Sequence, residues 1–142
     1  MKGIDCPFRV GETEVEKLSE RAKVIVVDMH GEATSEKVAM GRFLCGKVSA
    51  VIGTHTHIQT ADETILPGGT AYITDVGMTG AFDSVIGLKT EVAIQRFLTQ
   101  IPHRLEAAKK DLRMDAVIVD IDEDTGKATS VQRVELKMAG EV

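Results

Sequence analysis

The chain has 142 residues, 43% of them hydrophobic and 27% charged, with a formal net charge of −5. That length supports one domain, expected over residues 1–142, with a real core. The acidic balance and the lack of a basic tract exclude broad electrostatic binding of an extended nucleic acid. No apolar run approaches the roughly 18 residues that cross a bilayer, and the N-terminus shows no continuous apolar signal region. Cys6 and Cys45 lack the paired spacing of a zinc ribbon or a disulfide framework. Reduced thiols and a cytoplasmic location are therefore expected. Aromatic residues are only 4% of the chain, so the core must be aliphatic.

Residues 1–12 mix Gly, Pro and charge without a period and read as irregular. Residues 13–22 read as a short polar helix, with Val15 and Leu18 three apart. Residues 23–29 are apolar without alternation, which predicts a buried strand. Thr34 or Ser35 offers an N-cap for a helix to about Cys45, and Gly46 suits the position after its end. Residues 48–53 form a second buried strand. Strand, helix and strand with short links make a βαβ unit, expected to be parallel and right-handed.

The second half reads differently. Residues 63–66 and 70–76 flank the turn Pro67-Gly68-Gly69, a hairpin signature. Residues 77–89 read as a loop punctuated by Gly77, Gly80 and Gly87. Thr90 caps a helix over about 91–100, which Pro102 stops. Residues 114–122 and 128–138 flank the turn 123–126 and predict a final antiparallel hairpin. The fold class is therefore α/β: a βαβ unit followed by β-hairpins and a helix.

Three of the four histidines stand where metal chemistry would want them. His30 ends one predicted strand, and His55 and His57 follow the other. Parallel strands joined by a βαβ crossover bring their C-terminal ends together, at the edge where α/β proteins bind ligands. In an extended segment residues i and i+2 share a face, so His55 and His57 could aim at one site. The spacing predicts three converging imidazoles, holding one metal jointly or two adjacent metals. Neutral imidazole is a common metal ligand, and such a site lowers the pKa of bound water.

Asp28, two residues before His30, points the same way and suits a supporting role, because ligating imidazoles usually need carboxylate partners. Glu32 suits the solvated start of the following helix. Asp62 and Glu63 read as hairpin-edge charges. Asp75 is a further carboxylate candidate beside the strand ends. Thr54, Thr56 and Thr60 suit backbone hydrogen bonds in the turn. The glycines from Gly77 to Gly80 allow either an anion-binding nest or a plain loop. His103, at a helix exit, has no companion.

Three segments then carry a resemblance: Val27-Asp28-Met29-His30-Gly31-Glu32-Ala33-Thr34-Ser35-Glu36-Lys37, Gly53-Thr54-His55-Thr56-His57-Ile58-Gln59-Thr60-Ala61-Asp62 and Gly69-Thr70-Ala71-Tyr72-Ile73-Thr74-Asp75-Val76-Gly77-Met78-Thr79-Gly80. In order and length they resemble the YmdB-type metallophosphoesterases of bacteria, from about residue 5 to residue 136. The resemblance implies a calcineurin-like two-sheet sandwich flanked by helices. It implies a dinuclear site of two divalent metals (Fe, Mn or Zn) and hydrolysis of a small phosphodiester, such as a 2′,3′-cyclic nucleotide, by a metal-bound hydroxide. His30 and His55 would bind one metal and His57 the other. Asp28, Glu32, Thr54, Asp75 and Gly77, read from the residues themselves, are the candidates for supporting or substrate-loop positions.

The same resemblance implies that this chain corresponds to the C-terminal half of such a domain. The family's N-terminal half supplies an Asp, a bridging Glu, an Asn and a proton-donating His, and this sequence has no Gly-Glu-Asn or Gly-Asn-His segment to match. No catalytic residue is therefore assigned within it. A partial metal site is expected, completed by a partner chain, or a homo-oligomer formed through exposed apolar surface. The alternative is a non-catalytic metal-binding or assembly domain derived from that enzyme.

Overall fold

The computed structural model describes residues 5–138. Helix α1, Pro7–Ser19, starts earlier than the sequence suggests. Pro7 reads as a breaker in isolation, yet it occupies the first turn, where its missing N–H costs nothing. Residues 1–4 of the segment expected to be irregular lie outside the described residues. Strand β1, Val26–His30, helix α2, Thr34–Phe43, and strand β2, Ala50–Thr54, then form the expected βαβ unit. The residue before each of the helices at Thr34 and Thr90 makes no side-chain cap, so neither threonine is the cap predicted for it. Gly46 adopts φ +76 just past α2, as its position suggests.

Strands β3, Thr64–Leu66, and β4, Thr70–Ile73, make the predicted hairpin. The loop read over 77–89 contains a short strand, β5, Thr79–Ala81, which only its pairing partner reveals. Helix α3, Thr90–Thr99, follows, ending at Gln100 in a left-handed conformation. Strands β6, Leu112–Ile121, and β7, Ala128–Lys137, close the chain as an antiparallel pair.

Two sheets result. The first runs β1-β2-β4-β3, with β1, β2 and β4 parallel, and the second runs β5-β6-β7. Alternation along β2 separates two contact layers. Val51 joins Val15, Ile25, Met40, Leu44, Val48, Leu66 and Tyr72 under α1 and α2. Ala50 joins Ala71 and Ala128, with Ile52, Val119, Ile121 and Val131 packed around them, between the two sheets. Alanines at that contact let the sheets approach closely. Ser49 bridges the layers: its hydroxyl accepts from Ile25 N at 3.1 Å and donates to Gly126 O at 2.6 Å.

One expectation fails at β1. Its run of apolar residues predicts a strand buried on both faces, but β1 is an edge strand and Val26 is 58% exposed. Val27 and Met29 pack toward the helices. The opposite face of β1, carrying Val26, Asp28 and His30, is not covered by the second sheet, which packs on β2 and β4 through Ala50 and Ala71. This opening is where the site lies.

Candidate metal centre at the strand ends

Parallel pairing sets His30 opposite Thr54, at the C-terminal ends of β1 and β2. Asp28 and His30 are two residues apart on a strand and share a face, and Thr54 reaches the same face from β2. The Thr54 hydroxyl donates to Asp28 Oδ1 at 2.8 Å and lies 3.0 Å from His30 Nδ1. A hydroxyl has one proton, and a carboxylate can only accept. Thr54 must therefore accept from His30 Nδ1–H, which leaves a lone pair on His30 Nε2. Asp28 and Thr54 thus fix the tautomer and aim of His30; Thr54, expected to bond backbone groups in the turn, bonds these two side chains instead.

His30 Nε2 lies 3.1 Å from His55 Nδ1, with the rings edge-on at 80°. Two nitrogens bound to one ion at 2.0–2.1 Å stand roughly 2.9–3.4 Å apart for angles from square to tetrahedral. With the His30 Nε2 lone pair as acceptor, the contact is a hydrogen bond from His55 Nδ1–H, and the same separation would suit a divalent cation in place of that proton.

His57 does not join them. The expectation of three converging imidazoles assumed an extended chain, and the backbone turns instead: His55 has φ 118 and His57 φ 65. His57 Nδ1 donates to Ile86 O at 3.0 Å, which leaves its Nε2 lone pair available in turn. Ile86 is itself left-handed, φ 48, an outlier for a β-branched residue. Such conformations cost about 1–3 kcal/mol each and persist only where surrounding contacts over-determine them. Among the described residues, no three His, Cys, Asp or Glu side chains gather as a metal-holding group.

The contacts that hold the loop come from below. Asp75 is fully buried and accepts from Thr56 N at 2.8 Å and from Lys37 Nζ at 2.9 Å on Oδ2, and from Gly77 N at 3.0 Å on Oδ1. Burial pushes its carboxyl up, but the Thr56 amide, the Lys37 ammonium and the Gly77 amide outweigh this and hold it below the usual carboxylate range. Thr60 closes the zipper, donating its N–H to Asp75 O at 3.0 Å and accepting Asp75 N at 2.9 Å on its hydroxyl. Gln59 donates from Nε2 to Val76 O at 3.2 Å and Ala116 O at 3.0 Å, tying the loop to the second sheet.

The other candidates settle into structural places. Glu32 is exposed between β1 and α2. Asp62 accepts from the Thr60 hydroxyl at 2.6 Å and from Thr74 N at 3.1 Å, so it orders the turn before β3. Glu63 meets Arg133 at 2.8 Å. The anion-nest reading of 77–80 does not hold: Val76 N and Gly77 N are already spent on Gly53 O and Asp75 Oδ1, and Thr79 and Gly80 belong to β5. Gly77 is needed for another reason, since its φ is 89 and a Cβ there would run into Asp115. His103 contacts Thr99 at 3.3 Å, away from the site.

Sequence reasoning passed over Lys37, Gln59 and Ile86. Lys37 had a signal: with Met40, Gly41 and Leu44 it occupies the i, i+3, i+4, i+7 stripe that α2 buries. A lysine on an apolar stripe needs a buried partner. Gln59 and Ile86 had none, because their partners depend on tertiary folding.

Residues 1–134 match the family model described as YmdB-like protein. The chain is 47% identical over 131 residues to a protein of Bacillus subtilis (strain 168) named 2′,3′-cyclic-nucleotide 2′-phosphodiesterase, covering 92% of this chain and 50% of that protein. Its fold is similar to the crystal structure of a hypothetical protein from Thermus thermophilus, with TM-score 0.88 and 41% identity, covering 96% of this chain and 53% of the other. It is also similar to a structure of a novel phosphatase from Mycoplasma pneumoniae, with TM-score 0.86 and 36% identity over 92% of this chain and 46% of the other. The chain spans about half the length of the relatives it matches.

Proposed function

The chain belongs to the YmdB-like family, and from that membership we propose that it carries the histidine part of a two-metal phosphodiesterase site acting on a small phosphodiester such as a 2′,3′-cyclic nucleotide. The observation that carries the reading is the His30–His55 pair, 3.1 Å apart, with the His30 tautomer fixed by Thr54 and Asp28. His30 and His55 would hold one divalent cation, iron, manganese or zinc, and His57 a second. Bound cations of this kind supply Lewis acidity to phosphoryl oxygens and lower the pKa of an attacking water.

This chain's own residues orient and support. Asp28 and Thr54 keep a proton on His30 Nδ1 and so keep Nε2 free. Ile86 O does the same for His57 through its Nδ1. The remaining ligands and the group that protonates the leaving oxygen would come from the other half of the family domain, docked on the uncovered face of β1 or supplied by a partner chain. A cytoplasmic location suits the reduced thiols and the substrate class. A homo-oligomer formed through the exposed apolar surface remains the competing arrangement, and with it the reading of a non-catalytic metal-binding or assembly domain.

The test is hydrolysis of 2′,3′-cyclic AMP with Mn²⁺ or Fe²⁺, by the chain alone and mixed with the complementary half of a full-length relative. Turnover in the mixture, abolished by His55→Ala and by His57→Ala, is the expected result. Tight metal uptake with no turnover in either setting favours the non-catalytic reading instead.

A further inference from the structure

We propose that the buried Lys37–Asp75 ion pair is the clamp that sets His55 and His57 in their left-handed backbone conformations, making both Lys37 and Asp75 positioning residues for the imidazoles. The proposal rests on the reading of those imidazoles as cation ligands. Thr56 lies between the two unfavourable residues, φ 118 before it and φ 65 after it, and its amide is bound by the Asp75 carboxylate. That carboxylate is immobilised from independent directions: by Lys37 Nζ from α2, by Gly77 N, and through its own amide by the Thr60 hydroxyl.

The route of the lysine is built for this contact. Its side chain runs beneath the end of β2, where Gly53 leaves room: a Cβ on Gly53 would sit 3.0 Å from Lys37 Cδ and run into the Thr74 carbonyl oxygen. Lys37 Nζ also approaches Thr54 O at 3.4 Å, one residue before His55. The ammonium therefore touches the carboxylate that holds Thr56 and the backbone that leads into the loop. Stability alone does not call for this arrangement, because a buried ion pair replaced by apolar residues of similar volume often leaves a fold as stable as before. What an apolar pair cannot replace is the acceptor for Thr56 N and Gly77 N.

The experiment compares Lys37→Met/Asp75→Leu and Lys37→Gln/Asp75→Asn with the unmodified chain. Imidazole ¹H–¹⁵N spectra report the His30–His55 contact without metal, and Co²⁺ titration followed by visible absorption reports the ligands. Loss of such supporting contacts typically weakens metal binding 10–100-fold. The apolar pair is expected to keep its far-ultraviolet dichroism, lose the imidazole contact and bind Co²⁺ at least about tenfold more weakly. The neutral polar pair keeps one acceptor oxygen at residue 75 but sets an amide NH2 against the other backbone N–H, so it is expected to fold with a weakened contact and an affinity between those of the unmodified chain and the apolar pair. An apolar pair that folds with the imidazole spectrum and Co²⁺ affinity unchanged overturns the proposal. Should the apolar pair not fold, the polar pair decides: a weakened imidazole contact there supports the clamp, and an unchanged contact overturns it. An unmodified chain that takes up no Co²⁺ sinks the ligand reading, while the metal-free imidazole spectra still decide the clamp.

Discussion

Lys37 meets Asp75 at 2.9 Å beneath the parallel sheet, and Arg113 meets Asp111 at 2.6 Å on the antiparallel hairpin. The second contact is shorter, yet it holds less. Both side chains of the first pair are fully buried, and the carboxylate carries two backbone amides besides. The second pair sits in a surface network with Glu135 and Lys137, where water can replace either partner. Distance does not rank the two; what would be left unpaired does. The same contrast runs through the two sheets. The parallel strands end in a loop bent into left-handed residues and tied down from below, whereas β6 and β7 pair in nearly unbroken register with one irregularity at Asp120/Ile121.

The largest effect should come from breaking the buried pair on one side only. Lys37→Met leaves Asp75 charged and without its cation, and we expect a loss of about 3–5 kcal/mol in urea unfolding. Arg113→Met on the hairpin should cost only a small fraction of that, because water takes over the contacts of a surface pair. Equal losses at the two positions would remove the contrast. A smaller effect than that of Lys37→Met should follow Thr54→Val, which deletes the hydroxyl between Asp28 and His30 at nearly constant volume. A loss of about 1 kcal/mol is expected, with a second His30 tautomer appearing in imidazole spectra; a single unchanged tautomer would show that Thr54 does not set it.

The smallest effect concerns acid. Arg113 and Lys137 beside Asp111 hold its carboxyl down to about 2, against an ordinary value of 3.8. A depressed carboxylate stabilises the fold fully above its unfolded value and loses that contribution as pH falls through the folded one. Between about pH 4 and pH 2 the melting temperature of the unmodified chain should therefore fall further than that of Asp111→Asn. Parallel curves would mean that the hairpin network adds nothing.

How legible the molecule is in its sequence follows the same division. The βαβ unit and both hairpins could be read because apolar runs and turn residues are local signals, and the two-sheet α/β fold implied by the resemblance is the one observed. Asp28 and His30 could be placed together because a strand repeats every two residues, whereas Thr54 reads as a backbone partner in the turn. His57 could not, since the i, i+2 rule fails once the backbone leaves the extended region. The edge position of β1 was hidden for another reason: Val24 to Val27 look the same whether or not a second sheet covers them. Strand β5, three residues with glycine at its centre, carries no periodicity to find. Lys37 was readable in principle from the buried stripe of α2, but its partner lies 38 residues away.

The hydrogen bond from Thr56 N to a carboxylate sealed inside the protein has a consequence for hydrogen exchange. Loop amides ordinarily trade their protons for deuterium within seconds to minutes, because water reaches them without any opening of the fold. This one, flanked by two exposed histidines, can exchange only when the loop lifts off Asp75. Its exchange rate therefore reports how often the two imidazoles leave their places, a clock for the site that ticks before any metal or substrate is added.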